Sequence, residues 1–244
     1  MEFGASGETR RPHGRQGGSA RRLAAAGPEC ETAAQFAFRT AAVIVAHPDD
    51  ETLWAGGLIL THRECDWTVV GLCRKSDPDR APKFRRALAS LGASGMLGDL
   101  DDGPEQRPLA EGVVREAVAA LIPASNVFDA VLTHSPRGEY TKHRRHEETG
   151  KAVASLWMAG LLAAKALWLF AYEDGQGQYP ARAIPSAHWR QVLSAEVWQA
   201  KGAIITDVYG FSPSSFEAST TPREEAFWCF DSGAAYSGWL IQNG

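Results

Sequence analysis

From Ala41 the chain reads A-A-V-I-V-A-H-P, an apolar and β-branched run closed by a proline. That is the pattern of a strand buried on both faces. Similar runs recur at Trp67–Cys73, around Gly95–Leu97, at Asp129–His134 and at Ala166–Tyr172. Between them the apolar positions fall at helical spacing. This predicts helices over Thr52–Arg63, Pro82–Leu91, Leu109–Leu121 and Arg145–Ala163, with another near Ala187–Lys201. Strands alternating with helices predict an α/β fold whose mostly parallel sheet is covered on both faces. In such sheets ligands bind beyond the carboxyl ends of the strands, so chemistry is expected just after the apolar runs.

Residues 1–38 break this pattern. They carry Arg, Gly and Ser without apolar periodicity, which predicts a disordered basic arm ahead of a single folded domain over residues 39–244. The composition adds exclusions. A formal charge of -4 argues against general nucleic-acid affinity. No apolar run approaches the ~20 residues that span a bilayer, so no integral membrane segment is expected. Four cysteines, Cys30, Cys65, Cys73 and Cys229, are spread without a C-x-x-C pair, which suits a reducing, cytoplasmic setting.

Directly after the first apolar run stands H-P-D-D-E, His47–Glu51. Three consecutive acids repel one another, so they must diverge, meet a helix N-terminus or share a cation. Helix capping accounts for one of Asp49 and Asp50. It does not account for a histidine three residues before Asp50, a spacing that brings imidazole and carboxylate toward one point in a helical turn. Imidazole with carboxylate suits zinc.

A second cluster, H-R-R-H at His143–His146, follows the strand D-A-V-L-T-H and opens the next predicted helix, with both histidines on one face. Alone it also reads as a solvated basic stretch. Its place on the same sheet edge favours a site: His47, Asp50 and one histidine of this pair supply three ligands and leave a position open for water, the composition of a catalytic zinc centre. His134, at the end of the strand, is the other candidate ligand, or a residue that supports the ligands from behind.

H-P-D-D-E after the first strand and H-x-x-H after a later one resemble the PIG-L/LmbE-like family of zinc-dependent amino-sugar N-deacetylases, over roughly Ala41–Leu169. The resemblance implies a Rossmann-like three-layer sandwich and one Zn2+ per chain, other divalent ions being possible. It implies His47, Asp50 and His146 as metal ligands and Asp49 as general base. His143 would stabilise the transition state or protonate the leaving amine. It further implies substrate contacts from Arg74, Asp102 and Tyr140, and a small N-acetylated amino-sugar conjugate as partner. Asp102 reads equally as an Asp-Gly turn, and Arg74 as a surface arginine.

Two departures from the family pattern matter. The loop G-E-Y-T-K before His143 stands where G-E-Y-G, one residue shorter, is expected, which leaves the reach of Tyr140 open. Arg144 and Arg145 stand where Pro-Asp is frequent, adding two positive charges near the expected entrance. An anionic substrate or acids from the C-terminal region would balance them. The C-terminal aromatics read as core, or as a rim for sugar rings. A non-catalytic sugar- or nucleotide-binding protein on the same fold is the competing reading. A dinucleotide enzyme would need a Gly-rich turn where H-P-D-D-E stands.

Overall fold

The computed structural model describes residues 38–123, 125–140 and 143–243. All of the expected basic arm except Phe38 lies outside the described residues.

In chain order the elements are β1 (Thr40–Val45), α1 (Asp50–Thr61), β2 (Asp66–Gly71), α2 (Arg80–Leu91), β3 (Ser94–Leu97), α3 (Glu111–Leu121), β4 (Val127–Thr133), α4 (Arg144–Met158) and β5 (Ala163–Phe170). The C-terminal part adds β6 (Tyr172–Glu173), β7 (Arg182–Ala183), β8 (Trp189–Val192), α5 (Ala195–Ala203), α6 (Phe216–Thr220), β9 (Glu224–Phe230) and α7 (Gly233–Asn243), with a π-helical turn at Ile204–Val208.

Seven strands form one sheet in the order β3-β2-β1-β4-β5-β9-β8. The five from β3 to β5 are parallel, and β9 and β8 close the edge antiparallel. Strand β1 is wholly apolar past Thr40 because it lies between two parallel neighbours: Ile44 pairs with Val70 on one side and Thr133 on the other. Helix α1 packs on α2 and α5, and α3 packs on α4. Right-handed crossovers place these two groups on opposite faces of the sheet. The result is the expected three-layer α/β sandwich. The strand order reverses direction between β1 and β4, and the crevice above that point is where such a sheet takes its ligand.

The helix expected near Ala187–Lys201 is corrected. Its first part is the edge strand β8, where buried Trp189 and exposed Arg190 alternate against β9. A helix begins only at Ala195, where Ser194 Oγ accepts the Val197 N–H as a true N-cap. Likewise α4 stops at Met158 rather than reaching Ala163, since Gly160 takes φ +69° and turns the chain into β5.

Helix α1 is buried along almost its whole length. A Cβ on Gly57 would meet Leu193 Cδ1 at 2.4 Å, so the glycine is what lets α1 lie so close to its neighbours. Beneath it, Glu225 of β9 accepts the N–H groups of Gly57 and Leu58, both at 2.7 Å, and pairs with Lys201 Nζ at 2.6 Å. Glu225 and Lys201 are both fully buried, and each balances the other's charge.

Candidate functional site

The loops after β1, β2, β3 and β4 converge on a cleft of about 540 Å3, lined among others by His47, Asp49, Asp50, Arg74, Arg80, Asp102, Tyr140 and His143. Of the site residues that the resemblance implied, all but His146 face this cleft; His146 is buried with its ring stacked on that of His143 at 4.3 Å, and His134, the other candidate ligand, is fully buried and does not line the cleft.

Asp50 Oδ2 is the hub. It lies 3.1 Å from His47 Nδ1 and 3.3 Å from His146 Nε2, and those two nitrogens stand 3.3 Å from each other. Ligands of a tetrahedral zinc with bonds of about 2.0–2.1 Å are separated by about 3.3 Å. The three atoms thus already form one face of such a tetrahedron. The other ring nitrogen of each histidine meets a carboxylate: His47 Nε2 is 3.2 Å from Asp102 Oδ1, and His146 Nδ1 is 2.8 Å from Glu139 Oε2. Metal-bound histidines are held in this way, which fixes the tautomer that frees the ligating nitrogen. The donor set therefore fits a divalent metal.

Two other groupings, His47–His143–His146 and Asp50–His134–His146, also bring possible ligand atoms within 4.8 Å. Hydrogen bonding separates them from the first. His134 Nε2 is 3.0 Å from the Ala46 N–H, and a backbone amide only donates, so its lone pair is already engaged. Burial opposes a proton on this ring while Glu139 and Asp50 favour one, shifting the imidazole up to about 9. The amide facing Nε2 nonetheless requires the neutral ring, with its proton on Nδ1 toward Glu139 at 3.0 Å. Both ring nitrogens of His134 are thus already engaged, one by the Ala46 amide and the other by Glu139. Among the described residues no carboxylate stands behind His143, whose Nδ1 is buried without a hydrogen-bond partner. Burial, then His146 and His47, lower its imidazole to about 4, so the ring is neutral at pH 7.

Asp49 stands at the N-cap position of α1, yet its side chain caps nothing. Its backbone takes φ +118°, a conformation rare outside glycine. Glu51 holds it there by accepting the Asp49 N–H at 3.0 Å, and Glu51 is itself buried against Thr52 Oγ1 and the Tyr209 hydroxyl. The strain turns the Asp49 carboxylate into the cleft instead of toward the helix. Burial and then Asp50 raise its pKa well above the usual carboxylate range; Arg80, 3.4 Å away, opposes this.

Asp102 is drawn the other way: burial opposes its ionisation, but hydrogen bonds from His47, Gln106 and Arg74 hold it well below the usual range. Arg74, half exposed, is thereby tied to Asp102 at 2.5 Å. The Tyr140 ring lies 5.5 Å from that of His146 and 4.8 Å from Phe216 of α6, so the altered loop still delivers it to the cleft. Thr141 and Lys142 lie outside the described residues.

The two added arginines do not both crowd the entrance. Arg145 is fully buried and donates to the carbonyls of Asp101 and Arg107. Only Arg144 is exposed. The sequence reading missed Glu139, which joins His134 to His146, and Arg80. Glu139 had a signal, an acid between two histidines in the loop G-E-Y. Arg80 had none, since it reaches Asp49 only through the packing of α2.

The sequence model of PIG-L, GlcNAc-PI de-N-acetylase, matches residues 42–157. A search of curated protein sequences gives no match. Among solved structures, the N,N'-diacetylchitobiose deacetylase of Pyrococcus horikoshii superposes with a TM-score of 0.62 at 14% identity, covering 82% of this chain and 86% of that one. The A40926 pseudoaglycone deacetylase Dbv21 gives 0.56 at 15% identity, covering 79% and 98%. The 4-carboxy-2-hydroxymuconate hydratase GalB of Pseudomonas putida KT2440 gives 0.56 at 17%, covering 78% and 95%. At such identities the likeness is one of fold, and the fold is shared by a hydratase and by deacetylases.

Proposed function

From a chain that carries a PIG-L family domain over residues 42–157, we propose a metal-dependent amidohydrolase that removes the acetyl group from an N-acetylglucosamine-type conjugate. The observation that carries this reading is the set of three donors, His47 Nδ1, Asp50 Oδ2 and His146 Nε2, spaced at 3.1–3.3 Å with the free acid Asp49 beside them in the cleft. A non-catalytic binding protein has no use for a strained, uncapped carboxylate next to a complete ligand set.

His47, Asp50 and His146 would hold the metal, zinc being the ion that this N/O set and spacing suit. When bound, it supplies Lewis acidity that brings a water molecule's pKa to ~7 and polarises the amide carbonyl. Asp49 takes one proton from the attacking water and passes it to the departing nitrogen; the water's other proton stays on the acetic acid formed, which ionises on release, so that the amine and acetate leave with one proton given up to solvent or to the amine. His143, neutral at pH 7, donates an N–H to the oxyanion rather than serving as a store of protons. Asp102 orients His47, Arg74 and Tyr140 line the approach of the sugar, and residues 39–244 act as one catalytic domain. No helix among the described residues is long and apolar enough to cross a membrane, and a small conjugate reaching the open cleft in the cytoplasm is the partner proposed.

Metal content of the purified chain, followed by acetate release from a panel of N-acetylglucosamine conjugates with and without chelator, tests the reading. About one metal per chain with chelator-sensitive release supports it. Bound metal without acetate release from any conjugate overturns the activity and favours another reaction at the same centre, such as the hydration carried out on this fold. Absence of metal after reconstitution favours the binding protein.

A further inference from the structure

The pair Arg145 and Glu148 does something that H-x-x-H chemistry does not ask of it. Residues 98–110, between β3 and α3, belong to no helix or strand, and this stretch carries Asp102, the carboxylate behind His47. A loop without a ladder has to satisfy its backbone elsewhere. Here α4 supplies the partners. Arg145 Nε donates to Asp101 O at 2.5 Å, Arg145 Nη2 donates to Arg107 O at 2.9 Å, and Glu148 Oε1 accepts the Leu109 N–H at 3.0 Å. The two side chains also pair through Arg145 Nη1 and Glu148 Oε2. A fully buried guanidinium is tolerated only when its donors are met, and these are met by two loop carbonyls and by Glu148. The planar fork of arginine holds two carbonyls at fixed separation, which the single point charge of lysine does not.

We propose that Arg145 and Glu148 are positioning residues for the metal centre: a clamp from α4 that fixes the loop 101–109 so that Asp102 meets His47 Nε2. One turn of α4 then sets both halves of the site. His146 supplies a ligand directly, and its neighbour Arg145 aligns the ligand His47 through Asp102. The inference rests on the reading of His47 as a metal ligand, but the alignment of its ring can be measured with no metal present.

Two measurements on the full chain decide it, using Arg145→Lys and Glu148→Gln, which keep the charge or the shape of the side chain, beside Asp102→Asn. In metal-free protein, the 15N resonances of the His47 ring report the bond to Asp102. Arg145→Lys is expected to move them in the same direction as Asp102→Asn, with Glu148→Gln following by less. In a zinc competition titration, Arg145→Lys and Asp102→Asn should each weaken binding by about 10–100-fold, the loss typical of outer partners of a metal ligand. The double variant should be no weaker than Asp102→Asn alone, because both act on one bond. A variant Arg145→Lys that loses thermal stability but keeps the wild-type His47 resonances would overturn the clamp. So would losses of affinity that multiply in the double variant. A wild-type chain that takes up no zinc would overturn the metal reading instead, and the His47 resonances would still decide the clamp.

Discussion

Asp49 holds an unfavourable backbone conformation, a buried carboxylate and two acidic neighbours at once, and nothing in its hydrogen bonding compensates for all three. Residues in such conformations cost of order 1–3 kcal/mol and persist where function needs them. Asp49→Gly is therefore expected to raise the stability of the metal-free chain by about 1–3 kcal/mol, read by urea denaturation, while abolishing acetate release; a less stable variant would show that φ +118° carries no strain. Asp49→Asn should keep the metal and lose about 10²–10⁴-fold in turnover, the range of a lost general base. His146→Ala should lose metal and turnover together. Equal metal loss in Asp49→Asn and His146→Ala would remove the division between base and ligand. H-P-D-D-E announced most of this, since acids packed beside a histidine in sequence must be reconciled somewhere in space. It did not say that Glu51 faces away from the cleft to hold Asp49 in place.

Helix α4 reaches the sheet through Gly150, where an added Cβ would lie 2.4 Å from the His134 carbonyl oxygen. Backbone cannot step aside as a side chain can, so Gly150→Ala should cost about 1–3 kcal/mol and displace His146 from Asp50, seen as weaker metal binding alongside the lower stability. At the other end of the sheet, Asp129 of β4 ties down the start of β1 by accepting the N–H groups of Arg39 and Thr40, with Lys165 of β5 at 2.7 Å. These hydrogen bonds, Lys165 first, lower its carboxyl to about 2. A carboxyl lowered on folding stabilises the fold above its unfolded value and ceases to do so as pH falls through the folded one. The stability difference between wild type and Asp129→Asn should thus be full above about pH 4 and vanish near pH 2. A difference unchanged across that window would show that the carboxylate does not bear the load. Strands β1, β2 and β4 and the helices up to α4 were legible from their apolar periods, and β3, S-G-M-L, from its place between two of those helices. Strand β8 was not, since W-R-Q-V is too short to distinguish alternation from a helical turn until β9 lies beside it.

Across the whole molecule, the buried pair Lys201–Glu225 joins α5 and β9 to the middle of α1. Lys201→Met would remove the cation that faces Glu225 beneath α1, and an unfolding loss of about 3–5 kcal/mol is expected; a variant as stable as wild type would show that the two backbone N–H groups suffice. The sequence by itself determined the α/β class, the chain order of the first five strands and the four helices between them, and the sheet edge at which the candidate site residues gather. Each follows from local properties: the period of apolar residues, the proline and acids that end a strand, and two histidines one helical turn apart. Only the tertiary structure decided which ring nitrogens of four clustered imidazoles are already engaged and which stay free. That choice depends on what stands behind each ring: Asp102 from the loop after β3, Glu139 from the loop after β4, and the Ala46 amide that occupies His134. It also decided that Arg145 turns inward to the loop 101–107 and not outward to the substrate. Those partners lie tens of residues apart in the chain, and hydrogen-bond acceptors and lone pairs are allotted only once the sheet has brought its loop ends together.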